Sequence, residues 1–325
     1  MTRFLLLARR SGHAACCLAT LLVLSSLPVA AEQLFRIATG GTSGTYYPVG
    51  QAIATALSVP GVLKVDAQAT SGSIANLNAI ASGQAESGFS QADIAAWHYS
   101  GTVIVRPQFK LDKLRLIANL YPENIHVVAR KSLGLTSVAQ LKGLNVALDE
   151  PGSGVLVNAR QVLRAYGLTE RDIKPAYIKG TAAAERFKAG TIDALFFVGG
   201  VPSAFITELA ASTNSALLPL DGAALNSLRV ADGFYVAASF AADAYKGTLA
   251  TNTLAVGAQW YTSVDADAEL IYRLTQRLYS PAVLAQVKAS HPVAAQLSAA
   301  NAAAGAGMPL HAGAERFYRE AGIVK

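Results

Sequence analysis

The sequence predicts an α/β fold of two lobes, each a mainly parallel sheet flanked by helices, with a ligand cleft between them. Three observations predict it. Short β-rich runs alternate with helical patterns, this alternation begins again after Arg130, and two further β-type runs bracket the second unit. The chain has 325 residues, 52% hydrophobic and 15% charged, which suits two domains with cores and excludes a disordered protein.

The first 31 residues are expected to be a secretory signal peptide. Two arginines at 9–10 precede an apolar run at 14–27, and small residues follow at 28–31. The apolar run is shorter than the roughly 20 residues that cross a bilayer as a helix. General export fits this segment better than twin-arginine export or a lipoprotein anchor. We therefore expect a cleaved, exported protein.

Cysteine usage and charge narrow the function further. Cys16 and Cys17 are the two cysteines of the sequence, and both lie in the predicted signal peptide. The mature chain is therefore expected to have no disulfide, thiol catalysis or cysteine metal site. Three of the basic residues are also in that segment, so the remaining net charge is only about +3. Such a mild charge gives no support to nucleic-acid binding.

The elements of the first unit follow in order. A strand at 34–39 leads to a helix at 48–57, and a strand at 63–70 leads to a helix at 73–82, where Ser73 can serve as an N-cap. A short strand follows at 87–90, and Gln91 opens the next helix. Strands and helices in this alternation form a parallel sheet.

The second unit repeats the pattern. Its predicted strands are 144–149, 174–179 and 193–198, with helices at 153–166 and through 185–188. The bracketing runs are 124–130 and 233–240, and the helical tail after Ser263 returns to the first unit, with a surface loop or frayed helix end at 299–306. A unit entered and left through two extended segments can hinge about them. We expect one lobe at 32–126 plus 232–325 and the other at 127–231.

Clusters of Gly, Ser and Thr lie where strands give way to helices, at 39–48, 70–73, 151–154 and 198–202. The first turn of a helix has backbone N–H groups without partners, and small residues let an anionic ligand approach them. The carboxyl ends of parallel strands are also where open α/β sheets bind ligands. Taken singly, most of these clusters could be ordinary turns, but together they predict a cleft that closes over a small ligand.

Catalytic patterns find little support in the sequence. The segment 41–45 lacks the last glycine of a nucleophile elbow, and no dinucleotide or P-loop fingerprint occurs. The histidines after residue 31 are scattered and lack metal-binding spacing, and His126 fits a packed histidine better than a catalyst. We expect no enzyme, no catalytic residue, no metal and no cofactor.

Several motifs together resemble one family. They are TGGTSGTYYP (39–48), SGSIANLNAIASGQAESGFSQADIA (71–95), LYPENIHVVAR (120–130), LKGLNVALDEPGSG (141–154), IDALFFVGGVP (192–202) and PLHAGAERFYRE (309–320). The chain in this respect is similar to the TAXI family, the extracytoplasmic solute receptors of one class of tripartite ATP-independent periplasmic (TRAP) transporters. The resemblance runs in the right order over nearly all of the chain after residue 31.

The resemblance implies a periplasmic, monomeric solute receptor with a two-lobed, type II-like periplasmic-binding-protein fold. It would capture a small organic carboxylate, such as glutamate, glutamine or a 2-oxoglutarate-like compound, and deliver it to a TRAP membrane subunit driven by an ion gradient, usually sodium. Carried over by position, the implied binding residues are Thr42, Ser43, Gly44, Thr45, Tyr46, Tyr47, Ser71, Gly72, Ser73, Gln91, Gly152, Ser153, Gly154, Val198, Gly199 and Gly200.

Some alternatives stay open at this point. One of Tyr46 and Tyr47 is expected to reach the ligand and the other to pack. Asp149 and Glu150 stand where the family has small uncharged residues, and a carboxylate facing the cleft would favour an amino acid or monocarboxylate over a dicarboxylate. No arginine lies in the loops, so backbone amides and hydroxyls are expected to bind the ligand. A binding component of an ABC importer, a periplasmic sensor and a periplasmic enzyme with this fold are the other readings.

Overall fold

The computed structural model describes residues 32–102 and 111–325. The predicted signal peptide, with Cys16 and Cys17, lies outside the described residues. Among the described helices, none is long and apolar enough to span a membrane.

Most of the predicted β-runs form strands in the structure. One strand is longer than predicted, and two strands were not predicted. The strand predicted at 124–130 begins ten residues earlier, and strands at 215–217 and 251–263 were not predicted. The strands are β1 (Gln33–Ala38), β2 (Leu63–Gln68), β3 (Ser87–Gln91), β4 (Leu114–Arg130), β5 (Asn145–Ala147), β6 (Lys174–Ala176), β7 (Ala194–Gly199), β8 (Ser215–Leu217), β9 (Val236–Phe240) and β10 (Thr251–Ser263).

The helices follow the strands as the alternation predicts, and two helices of the second unit are additional. Those two are the sixth and seventh, which cover a stretch that the sequence analysis left unassigned. The helices are α1 (Tyr46–Leu57), α2 (Ser73–Ala81), α3 (Ala92–Ser100), α4 (Gly154–Ala165), α5 (Gly180–Lys188), α6 (Ala204–Ser212), α7 (Gly222–Asp232), α8 (Ala268–Leu278), α9 (Pro281–Ser290) and α10 (Ala312–Glu320).

The sheet has the order β2-β1-β3-β10-β4-β7-β5-β6, with β8 beside β4 and β9 beside β10. One parallel part contains β1, β2 and β3, and another contains β5, β6 and β7. Between them, β10 runs antiparallel to β3 and β4, and β4 runs antiparallel to β7. The predicted α/β fold class is confirmed, and the two long strands β4 and β10 make the parallel parts one continuous sheet.

Separate cores lie around the two parallel parts. In the first, Trp260 is fully buried and packs edge-on against Phe35 and Phe89, with ring centroids 6.4 Å and 6.3 Å away. In the second, the side chains of β7 are all buried. Phe240 and Tyr245 pack in this second region with Phe187. The stretch around β9, which the sequence analysis assigns to the first lobe, thus packs with the second parallel part.

Candidate functional site

A cavity of about 80 Å³ lies where the loops of the two parallel parts meet, at the carboxyl ends of β1, β3, β5 and β7. This is the edge of the sheet at which the sequence places its Gly, Ser and Thr clusters. The residues that line the cavity are Gly40, Gly41, Gly44, Thr45, Tyr46, Ser71, Gly72, Ser73, Gln91, Glu123, Asp149, Ser153, Gly154, Val155, Phe197 and Val198.

The structure brings most of the predicted binding residues together at this cavity. Those that line it are Gly44, Thr45, Tyr46, Ser71, Gly72, Ser73, Gln91, Ser153, Gly154 and Val198. Thr42 and Ser43 instead line a neighbouring cavity of about 350 Å³, which shares Gly44 and Thr45 with the first. Tyr47, Gly152, Gly199 and Gly200 line neither cavity among the described residues.

The two adjacent tyrosines point to different partners. Tyr46 is the first residue of α1, is buried, and its hydroxyl donates to Oε2 of Glu123 at 2.7 Å. The Tyr47 hydroxyl accepts a hydrogen bond from Nε2 of Gln51 at 2.9 Å, one turn along the same helix. Tyr46 is therefore the tyrosine at the cavity.

Glu123 is a site residue that the sequence analysis missed. It lies on β4, is 2% exposed, and lines the cavity. The pKa of Glu123 is raised to about 8, chiefly by burial; the hydrogen bond from Tyr46 lowers it, and the negative charge of Asp93 adds to the rise. At neutral pH the carboxyl is mostly protonated. Glu123 stands between Tyr121 and Ile125 in the alternation that places side chains on one face of β4, and a carboxyl on a buried face was the signal that could have found it.

The hydrogen bonds behind Gln91 fix the orientation of its amide. The carboxylate of Asp93 only accepts, so Nδ2 of Asn158 donates to it at 2.7 Å. The carbonyl Oδ1 of Asn158 then accepts from Nε2 of Gln91 at 2.6 Å. Oε1 of Gln91 is consequently left at the cavity, buried and without a hydrogen-bond partner among the described residues. Because a buried acceptor without a partner is unfavourable, a hydrogen-bond donor bound in the cavity would be stabilised here.

Close packing requires glycine at the start of α4. A Cβ atom at Gly154 would lie 1.7 Å from Oε1 of Gln91, which is an impossible contact. The Ser153 hydroxyl caps the helix by accepting from the amide of Leu156 at 3.1 Å. The amides of Gly154 and Val155 have no acceptor among the described residues. They can therefore receive an anionic group.

The backbone amides at the start of α2 are not free to bind a ligand, although the sequence analysis predicts that they would be. Its amides at Ile74 and Ala75 donate to the carbonyl of Gly152 at 3.0 Å and 3.1 Å. These two donors are thus already paired by a loop of the second parallel part. The physical reason is that a carbonyl oxygen carries the partial negative charge that a helix N-terminus attracts. Gly152 serves as a contact between the two parts, and its φ of +97° suits glycine.

Of the two carboxylates left open by the sequence, Asp149 lines the cavity and Glu150 does not. Burial raises the pKa of Asp149 to about 6. Glu150 instead pairs with Nζ of Lys179 at 2.8 Å, and that ammonium also donates to the carbonyl of Thr70 at 3.2 Å. No lysine, arginine or histidine is among the described residues that line the cavity.

His126 lies away from the cavity, in a closed network. Its Nδ1 donates to the carbonyl of Asn124 at 2.9 Å, and its Nε2 accepts from the hydroxyl of Tyr245 at 2.8 Å. Burial lowers the pKa of His126 to about 3, so the ring is neutral near pH 7. Within the part of the chain that the structure describes, no group of three His, Cys, Asp or Glu side chains could hold a metal ion.

The comparison with protein families decides where this chain belongs. The model of the NMT1-like family matches residues 37–322, which include every residue that lines the cavity. The chain belongs to the NMT1-like family. The match begins at the end of β1 and covers the other strands of both parallel parts and both long strands between them, so NMT1-like membership applies to nearly all of the fold described above.

Solved structures are similar to this NMT1-like chain at low identity. A protein of Bordetella bronchiseptica RB50 has a TM-score of 0.54 and 16% identity over 90% of this chain and 98% of its own, which shows a shared fold. The alkanesulfonate-binding protein SsuA from Xanthomonas axonopodis pv. citri, bound to MOPS, has a TM-score of 0.46 and 17% identity over 89% and 84%. The periplasmic aliphatic sulphonate binding protein SsuA from Escherichia coli has 0.45 and 14% over 80% and 79%.

Proposed function

We propose that this protein is a periplasmic solute receptor that captures a small anion-bearing solute between two lobes and delivers it to a membrane transporter. The observation that carries the proposal is the cavity itself. It is enclosed by loops from both parallel parts of the sheet, and helix α4 presents the unpaired amides of Gly154 and Val155 to it. A solute that bridges the two parts would favour their closed arrangement by its extra contacts there.

The lobes of this proposal meet through the two long strands. In this proposal the second lobe contains residues 127–231. Phe240 and Tyr245 join it, because they pack with the second parallel part of the sheet. Bending would then occur within β4 and β10, because these strands run through both parts. The cavity lies beside this crossing, where a small bend moves its walls apart.

The solute that fits this cavity has two ends of different chemistry. The free amides of α4 suit a carboxylate or sulfonate group, whereas the unpaired Oε1 of Gln91 and the carboxyl of Asp149 suit a hydrogen-bond donor. Asp149 also disfavours a second negative charge. We therefore expect an amino acid or a monocarboxylate to bind more tightly than a dicarboxylate. A small aminosulfonate also carries an anionic group at one end and a hydrogen-bond donor at the other.

Two transporter classes compete as the membrane partner. The sequence motifs resemble receptors of TRAP transporters, whereas the family match names no TRAP system. Two similar solved structures, a periplasmic binding protein from Brucella ovis with glutathione bound and the substrate binding protein of an amino acid transporter, belong to ABC systems. We place the ABC importer first and the TRAP permease second. Uptake into vesicles that contain the cognate membrane subunits would separate them, since ATP drives the first and a sodium gradient the second.

Binding is tested by thermal unfolding of the purified protein against L-glutamate, L-glutamine, L-alanine, 2-aminoethanesulfonate, propionate, ethanesulfonate, glutarate and 2-oxoglutarate. A ligand at about 100 times its Kd adds about 2.7 kcal/mol of stability, which raises the Tm by several degrees. The surface variant Glu315→Gln is the matched control and should respond like the wild type. A panel in which no compound moves the Tm would contradict the proposal.

A further inference from the structure

Three side chains at the wall of the cavity offer hydrogen-bond acceptors. Glu123, Asp149 and Oε1 of Gln91 all lie at its wall, and no cationic side chain is among the described residues that line it. Gln91 and Glu123 are each 2% exposed, so neither is well solvated by bulk water. A group with several hydrogen-bond donors and a positive charge is the natural partner for such a set.

Tyr46 holds the Glu123 carboxyl in place. The tyrosine hydroxyl donates to Oε2 at 2.7 Å, which leaves Oε1 of the carboxyl for another partner. The titratable groups that face Glu123 are Tyr46 from α1, Tyr121 from its own strand, Asp93 from α3, and Asp149, which lines the same cavity. These neighbours are acids or phenols, so they add no positive charge that would stabilise an ionised Glu123.

We infer that Glu123 selects an ammonium-bearing solute: its carboxylate accepts a hydrogen bond from the solute's ammonium group, and the proton that it carries before binding passes to solvent. This inference rests on the proposed function, and it adds a specificity-determining residue and a proton to it. Each solute bound releases one proton from Glu123, and the ammonium keeps its own protons, so charge and protons balance.

The competing arrangement has a protonated Glu123 donating to a carboxylate of the solute. That arrangement would place an anion near Asp93, whose negative charge acts on Glu123, in a cavity with no cationic side chain among its described lining residues. The free amides of Gly154 and Val155 offer an anion a better place in the same cavity. The ammonium therefore belongs at the Glu123 end and the anion at the α4 end.

Because a proton is released on binding, the affinity for the solute depends on pH. With the pKa of Glu123 at about 8, a solute that needs the carboxylate binds more tightly as the pH rises, by roughly tenfold per unit below pH 8. The gain levels off above pH 8. A solute that instead needs the protonated carboxyl would bind with nearly constant affinity below pH 8 and more weakly above it.

The experiment is calorimetric titration with L-glutamine and L-alanine, and with propionate and 2-oxoglutarate as compounds that lack the ammonium. Each titration at pH 7 is run in two buffers of different ionisation enthalpy, which reports the protons released. Glu123→Gln is the test variant, because its amide oxygen still accepts from Tyr46. We expect it to weaken amino-acid binding by about 10- to 100-fold, to change propionate binding by less than about 3-fold, and to abolish proton release. Glu315→Gln should behave as the wild type.

The outcomes separate the inference from the proposed function. Amino-acid binding with proton release in the wild type, lost in Glu123→Gln, supports both. Binding of propionate or 2-oxoglutarate in preference to the amino acids, or amino-acid binding that is equally tight in Glu123→Gln, overturns the role of Glu123 and leaves the solute receptor standing. A wild type that binds no compound in the calorimeter and shows no thermal shift with the full panel contradicts both.

Discussion

Glu123 is a buried carboxyl in a strand whose other side chains are mostly buried. Its folded-state pKa of about 8 is above the usual value of 4.5, so between these pH values the folded protein holds a proton that the unfolded chain has released. The stabilisation from this group is therefore complete below about pH 4.5 and is lost as the pH rises through 8. A binding carboxylate is kept here at the expense of stability in mild alkali.

We expect Glu123→Gln to be more stable than the wild type at pH 8 and nearly equal to it at pH 5. The amide cannot ionise, and it keeps the acceptor for Tyr46. The whole pKa shift, from 4.5 to about 8, corresponds to roughly 5 kcal/mol as an upper bound. Urea unfolding without added solute at pH 5, 6.5 and 8 measures it, with Glu315→Gln as the control for a surface carboxyl. Parallel stability curves for wild type and Glu123→Gln would contradict the burial argument.

At the scale of elements, α4 and α5 both begin with a glycine, but the surroundings of the two glycines differ. Gly154 is the first residue of α4, where a methyl group would meet Oε1 of Gln91 at 1.7 Å. Gly180 is the first residue of α5, where the nearest atom to an added Cβ is Oγ of Ser43 at 3.4 Å, an ordinary contact. The start of α4 is therefore shaped by its direct contact with Gln91 at the end of β3, and the start of α5 has no such contact among the described residues.

Gly154→Ala is expected to weaken solute binding by at least tenfold, because the methyl group pushes Gln91 away and separates the two parts of the sheet. Gly180→Ala should bind within about twofold of the wild type, since its contacts are in the normal range. Calorimetric titration with the best compound of the panel measures both. Equal losses in the two variants would mean that α4 has no special part in binding.

The sequence predicted those elements whose own residues carry the pattern. The loops before α1, α2 and α4 were found because Gly, Ser and Thr follow apolar strands. Strand β10 was missed because Thr253, Gly257 and Gln259 interrupt its apolar run. Thr253 donates to the carbonyl of Ile125, and Gln259 donates to the carbonyl of Ala304 at 3.1 Å, so the donors of these polar side chains find their partners in distant parts of the chain.

The same difference between local patterns and long-range contacts explains which residues of the site could be predicted. The loop glycines were predicted from the local sequence and Gln91 from the family resemblance, and Asp149 was one of two candidate carboxylates. Glu123 acquires its role from Tyr46, which lies 77 residues away in the chain. The pairing of the α2 amides with Gly152 likewise joins two loops that no local pattern connects.

At the scale of the whole molecule, the contact between α2 and the loop at Gly152 holds the two parallel parts together. A Cβ atom at Gly152 would lie 3.7 Å from the Cβ of Ala75, which is within the range for a disulfide. The chain after residue 31 contains no cysteine, so a pair introduced here would have no competing partner. The positive φ of Gly152 makes the substitution cost about 1 kcal/mol.

We expect Ala75→Cys with Gly152→Cys to form a disulfide that locks the two parts together. Solute that is present during oxidation should then exchange at least tenfold more slowly, and reductant should restore the rate. The measurement is the release of labelled solute with and without reductant, with each single cysteine variant as a control. Release that is equally fast in the oxidised and reduced protein would show that the parts need not separate for exchange.

The carbonyl of Gly152 bonds the amides of α2 through backbone atoms alone, so this contact needs no solute. Two such hydrogen bonds contribute only about 1 kcal/mol each after competition with water. In a receptor, they would let a minority of molecules close without cargo and compete with loaded ones for the membrane subunit. The strength of two peptide hydrogen bonds would thus set how much of the permease is occupied by receptors that have nothing to deliver.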